Sequence, residues 1–308
     1  KINLFLVLIT VSIVPCISIF RSGTYESGLL TENVQILISF FETLSDGNMF
    51  PVWAKNAFAE YGNPAHLFMY PLPFYIASFF HLLGLSFLDS IKAVLALSFI
   101  FSGISMYYWV KEELGKLPAF VASIFYLFTP YHLTEMRFRA TLGVSLAFVF
   151  MPLPFLFLKK LIDSNKSKFI LPGGLSLGLL MLSHPATFVT VCLFLAPYAL
   201  FLLRDKLNEF HVLFKVFIFF AYSMAVSSFY WLPLITESNL IKHVSTLQTG
   251  DFKNVWEHIF SPTLFGFLFQ GHHGETHFII GYPHLLILGI AVVLITSGKL
   301  RKDGQVVK

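Results

Sequence analysis

Apolar residues fall in blocks at about 2–20, 67–85, 93–110, 118–131, 142–158, 169–183, 186–203, 211–231 and 278–298, with polar connections between them. Crossing about 30 Å of hydrocarbon takes about 20 helical residues, and several blocks reach or approach that length. The pattern predicts eight or nine membrane spans. Two connections are long, 21–66 and 232–277. The expected fold class is all-α: a polytopic transmembrane helical bundle forming one domain over 1–308.

The first long connection carries its own pattern. Val34, Leu37, Phe41 and Leu44 recur at 3–4–3 spacing, while Glu32, Ser39 and Thr43 take another face. That spacing predicts an amphipathic helix, with Gly47 placed to end it. Such a helix either lies flat on the outer membrane surface, apolar side down, or packs against the bundle.

Composition removes the soluble alternatives. The chain is 56% hydrophobic and only 12% charged, against roughly 25% charged residues in soluble domains. The net charge of +4 is no nucleic-acid signal, because it is sorted by membrane side. Lys159, Lys160, Lys166 and Lys168 mark one cytoplasmic connection, Arg204 and Lys206 a second, and Lys299, Arg301 and Lys302 a third. The 21–66, 131–141 and 232–277 loops then face outward in a multi-pass protein of the cell (plasma or inner) membrane. One parity problem arises. Only an odd number of crossings fits between residues 66 and 111, yet two apolar blocks lie there. The block opening Tyr70-Pro71-Leu72-Pro73 is the candidate re-entrant or membrane-surface segment, since its prolines interrupt helical hydrogen bonding; the alternative is a cytoplasmic loop 21–66, which would part it from the other candidate residues. Cys16 and Cys192 sit within apolar blocks and form no disulfide framework. A start at Lys1 and a basic tail after an apolar block suggest a piece of a longer protein.

Three stretches carry a resemblance. They are Asp46-Gly47-Asn48-Met49-Phe50-Pro51-Val52-Trp53, then Tyr61-Gly62-Asn63-Pro64, then Tyr70-Pro71-Leu72-Pro73-Phe74-Tyr75; Phe128-Thr129-Pro130-Tyr131-His132-Leu133 leading to Arg139, and Leu182-Ser183-His184, fit as well. Together they resemble the bacterial and archaeal membrane family labelled 6-pyruvoyl-tetrahydropterin synthase-related, which is YfhO-like. That family in turn resembles the GT-C class of polytopic glycosyltransferases. The resemblance implies a GT-C-like bundle that takes a sugar from a polyprenyl-phosphate donor on the outer face. After Arg139 this chain reads Ala140-Thr141-Leu142-Gly143-Val144, without the acidic residue that relatives place there.

Glycosyl transfer at a membrane surface needs a carboxylate to take the acceptor proton. It also needs cationic donors for the leaving lipid phosphate. Glu26 and Glu32 are the candidate bases, with Asp46 behind them. Arg139, Arg137 and His184 are the candidate phosphate contacts, and Tyr61, His66, Tyr131 and His132 are further candidates in the motif-bearing stretches. Purely structural roles stand beside these: solvated carboxylates, arginines snorkelling to headgroups, a satisfied interfacial histidine. His273 and His277, with His258, His272 and Glu275 nearby, make a divalent metal possible, although Gly271 and Gly274 oppose a helix there; no cofactor is otherwise called for. The expected partners are membrane lipid and the polyprenyl-phosphate sugar donor, with no nucleic acid. The rival reading is non-catalytic: a lipid or glycan transporter, or an inactive scaffold on the same fold.

Overall fold

The computed structural model describes residues 3–55, 61–237 and 281–297. Among these the architecture is all-α and polytopic. Helices run in the order α1 (Leu4–Ile17), α2 (Leu30–Ser45), α3 (Ala65–Phe68), α4 (Leu72–Leu82), α5 (Phe87–Leu114), α6 (Lys116–Leu127) and α7 (Pro130–Leu133). A π-helical turn (Thr134–Arg139) follows. Then come α8 (Leu142–Phe150), α9 (Pro152–Ser164), α10 (Ile170–Ser183), α11 (Pro185–Leu203), α12 (Phe210–Thr236) and α13 (Tyr282–Thr296). The one β-type pairing described is an isolated bridge between Ala54 and Asn63.

Among the described residues four runs are long and apolar enough to cross a membrane: α5, α8 with α9 taken as Leu142–Ser164, α11 and α12. Five shorter apolar helices accompany them. Among the described residues each apolar block contributes a helix, and four of the eight or nine expected spans reach full length there. Block 118–131 shows why. Proline disfavours helix in the residue before it and cannot donate to the preceding turn, so α6 stops at Leu127 and the chain restarts at Pro130.

Contacts along α1 remove the parity problem. Phe5 packs on Tyr107 with ring centroids 5.3 Å apart, while Arg21 and Gly23 give their carbonyls to Lys92 Nζ, each at 2.7 Å. So α1 runs antiparallel to α5, from its Tyr107 end to its Lys92 end. Both ends of α4 stay at the Lys92 end, with Tyr70 beside Gly143 and His81 stacked 3.7 Å from Phe87. At 11 residues α4 is about 16 Å long, half a bilayer core. Among the described residues, α5 is the one run between residues 66 and 111 long and apolar enough to cross a membrane.

The amphipathic helix is present as α2, and Gly47 ends it in the left-handed region at φ +88°. Its buried face differs from the expected stripe. Leu30, Asn33, Leu37, Phe40 and Thr43 point inward, against α4 and α5. The polar members are admitted because their groups are satisfied: Asn33 Nδ2 donates to the Ala140 carbonyl (2.7 Å) and Thr43 Oγ1 to the Ser39 carbonyl (2.9 Å). Of the two placements, α2 takes packing against the bundle.

Two apolar cores result. One joins α1, α2, α4, α5 and α6; the other joins α9, α10, α11 and α12. In the second, Gly173, Gly174 and Gly178 admit α12 so closely that a Cβ on Gly173 would sit 2.1 Å from the Phe219 ring. Close backbone approach over small residues is how helices gain packing energy where lipid supplies no hydrophobic drive.

Candidate functional site

The bundle has two unlike ends. One carries Lys111, Lys159, Lys160, Arg204, Lys206 and Lys215; the other carries the first loop, the π turn and the α10–α11 junction. The candidate residues collect at the second.

There the first loop is bonded into the bundle by its backbone. Gly28 N donates to the Phe138 carbonyl (2.8 Å) and Leu29 N to the Arg139 carbonyl (2.9 Å). The Arg137 guanidinium lies 4.0 Å from the Tyr25 ring centroid, a cation–π contact. Glu26 therefore stands two residues, at most about 7 Å of chain, from a backbone atom joined to the arginine turn. Glu32 directly precedes Asn33, which holds Ala140. Both carboxylates are exposed.

The π turn is the least regular backbone in this region. A non-glycine residue, Ala140, closes it at φ +53°, a conformation that L residues seldom adopt. Single π turns and left-handed closures concentrate at functional sites. Within the turn Arg139 Nη1 donates to Glu135 Oε1 at 2.5 Å. Glu135 is fully buried while Arg139 is one-third exposed, so the pair runs from the core toward the surface. The other carboxylate oxygen, Glu135 Oε2, has no hydrogen-bond partner among the described residues.

Tyr70 and His184 flank this pair. Tyr70 accepts a hydrogen bond from the Gly143 amide, and its ring centroid is 5.7 Å from that of His184. Burial raises the Tyr70 phenol above its ordinary value, with the Gly143 bond opposing and the Glu135 charge adding. Gly143 is required there, because a Cβ would lie 2.5 Å from the Ser183 carbonyl oxygen and 2.6 Å from the Tyr70 ring. His184 caps α11, its Nδ1 accepting from Thr187 N at 3.3 Å. Burial, then the Arg139 charge, lowers its pKa. Near neutral pH the ring is thus uncharged with its proton on Nε2, a hydrogen-bond donor beside a guanidinium.

The remaining candidates are dispersed. Asp46 is ion-paired with Lys55, and Tyr61 is exposed. His66 is buried, bonded to Ser39 Oγ at 3.2 Å, and burial lowers its pKa to about 4. His132 lies fully buried, stacked 3.9 Å from Phe148; Tyr131 is half-buried near the same ring. Among the described residues no three His, Cys, Asp or Glu side chains gather to hold a metal. His258, His272, His273, Glu275, His277 and nearly all of 232–277 lie outside the described residues.

Sequence reasoning overlooked Glu135 and Tyr70 as site residues. The signal for Glu135 was its i, i+4 spacing to Arg139, the spacing of a helical ion pair.

The motif around Trp53 proves to be an anchor for the first loop. Ala54 and Asn63 exchange backbone hydrogen bonds (2.8 and 3.2 Å), Trp53 covers Gly62, and Tyr75 donates to the Met49 carbonyl at 2.6 Å. Gly62 has φ +75°, and a Cβ there would meet the indole at 2.1 Å.

Residues 67–299 match a family model described as a 6-pyruvoyl-tetrahydropterin synthase related domain, membrane protein. An uncharacterized protein of Lactococcus lactis subsp. cremoris (strain MG1363) is 22% identical over 256 residues, covering 80% of this chain and 41% of the relative. The chain thus spans about two-fifths of that relative's length.

Proposed function

Since the chain belongs to this family of membrane proteins, we propose that it is the membrane domain of a glycosyltransferase with a GT-C-like fold. It transfers a sugar from a polyprenyl-phosphate donor to an outer-face acceptor. One observation carries the reading: the backbone pairing of Gly28 and Leu29 with Phe138 and Arg139. It brings an exposed carboxylate, Glu26, to the turn that bears Arg137 and Arg139. The arginine forks suit a phosphate, and His184 adds an uncharged donor beside them. Glu26 takes the acceptor proton; Glu32, on the outward face of α2, is the second candidate.

The test begins with binding. The purified chain in nanodiscs is titrated with undecaprenyl phosphate, followed by native mass spectrometry. Wild type should retain the lipid, and Arg139→Lys should weaken retention about tenfold or more, because a point charge cannot reproduce a bidentate fork. Glu26→Gln should leave binding unchanged while lowering transfer about 10²–10⁴-fold, the usual worth of a general base. Absence of lipid-phosphate binding by wild type overturns the proposal. A second reading, an inactive scaffold, is favoured by the Glu135–Arg139 contact, which already engages the guanidinium. It predicts binding that is indifferent to Arg139→Lys.

A further inference from the structure

Beside the candidate site, two adjoining clefts separate the first loop from the last turns of α12. The outer is about 450 Å³ and is lined by Val52, Trp53, Pro64, Leu67, Phe68, Pro233 and Glu237. The inner shares Val52 and Leu67 with it and adds Phe50, Pro71, Tyr75 and Tyr230. Pro71 follows Tyr70 in the chain, and the Tyr230 and Tyr70 phenols lie within electrostatic range of each other. The inner cleft is small, about 20 Å³, and its wall at Pro71 adjoins Tyr70 in the chain.

Trp53 is the unusual wall. Trp53 is nearly half exposed, yet it is held by its neighbours: its ring covers Gly62, its carbonyl is within 3.4 Å of Thr43 Oγ1, and the next residue is bridged to Asn63. A ring exposed but buttressed in this way presents a ready π face to a ligand. The negative face of that quadrupole attracts the slightly positive C–H face of a pyranose, and a nearby carboxylate such as Glu237 accepts hydroxyl hydrogen bonds. The cleft has the size of small-molecule sites, and its mostly apolar walls with few polar groups fit an amphipathic ring.

We infer that this cleft binds a saccharide, the acceptor in the proposed transfer, with Trp53 as its stacking platform and Glu237 as its hydroxyl acceptor. The role as acceptor rests on the proposed glycosyl transfer; binding itself is testable without it. The purified chain in nanodiscs is titrated with neutral hexose and N-acetylhexosamine oligosaccharides, and the indole emission is followed as the difference between wild type and Trp53→Phe. A saturable change confined to the Trp53 signal, weakened at least tenfold by Glu237→Gln, is expected. An unfolding midpoint for both variants within a degree or two of wild type shows that they are folded. Quenching of Trp53 by brominated lipid with no response to any oligosaccharide overturns the inference, making Trp53 a membrane-interface anchor. Saccharide binding without lipid-phosphate binding would keep the inference and remove the transferase reading.

Discussion

The two ends of the bundle handle charge in opposite ways. At the basic end carboxylates and cations meet in pairs near the surface. Lys159 bridges Glu113 (2.9 Å) and Asp163 (3.6 Å), Lys160 meets Glu112 (3.0 Å), and Tyr198 donates to Glu113 (2.8 Å). Lys215 closes the α9 terminus through Asn165, with 2.7 Å bonds to its carbonyl and Oδ1. At the first-loop end one carboxylate is fully buried with a single partner, and Tyr25 Oη, Glu135 Oε2, Thr141 Oγ1 and Ser145 Oγ are buried without hydrogen-bond partners. Buried polar groups are satisfied in the great majority of cases, so a concentration of exceptions marks a region shaped by something other than stability. The basic end clamps helices; the other end leaves buried polar atoms of the π turn and its neighbours without partners among the described residues.

The most decisive way to break the comparison is to ask whether the two ends face different compartments. A cysteine at Asn48 should react with an impermeant maleimide from outside intact cells, and one at Ser167 only after permeabilisation. Equal labelling of both sites would defeat it.

Arg139→Met comes next. It leaves the buried Glu135 carboxylate without its guanidinium, and breaking such a pair costs about 3–5 kcal/mol. Chemical denaturation in mild detergent should show a loss of that size, larger than for any single ion-pair deletion at the basic end.

A comparable effect is expected from pH at His66. Burial holds its folded pKa near 4, below the ordinary value of 6.5. Its neutral form is the one that folds, so its contribution is complete above about pH 6.5. That contribution falls by about 1.4 kcal/mol per pH unit down to about pH 4. Acidification should therefore loosen the first loop from α2, seen as faster proteolysis of residues 46–66. His66→Asn should flatten the profile between pH 6.5 and 4; an unchanged profile would remove His66 from the account.

Gly143→Ala should cost about 1–3 kcal/mol, the range for overpacking. Its added carbon meets a backbone carbonyl and the Tyr70 ring, so it should also separate Tyr70 from His184. Wild-type stability in thermal unfolding would show that α8 can shift freely.

The long spans were legible because hydropathy alone defines them. Blocks 186–203 and 211–231 correspond to Pro185–Leu203 and Phe210–Thr236. Helix ends were less visible, since Glu112 and Glu113 complete α5 after its apolar run has stopped. At the candidate site, residue types were readable but partners were not. Pro130 and the charges after it suggested an exposed loop, which concealed Glu135 as a core residue. Thr43 looked outward-facing because its polarity was visible in the sequence, whereas the Trp53 carbonyl it also reaches, at 3.4 Å, is brought there by tertiary structure.

The smallest expected effect sharpens the contrast from the basic end. Lys160→Met removes the partner of Glu112, a 3.0 Å ion pair. Distance alone would rank it close to the Glu135–Arg139 contact, but the settings differ. The Lys160 and Glu112 side chains are 30% and 43% exposed, so water and salt screen their attraction, and deleting one partner leaves the other solvated. Exposed pairs are worth about 0–1 kcal/mol, and methionine keeps the apolar stem packed. The substitution should therefore move the unfolding midpoint little, and raising salt should move the wild type by a similar small amount. Arg139→Met should show a loss several times larger and nearly independent of salt, because its partner is buried. If the two substitutions cost the same, burial would not distinguish the two ends of the bundle.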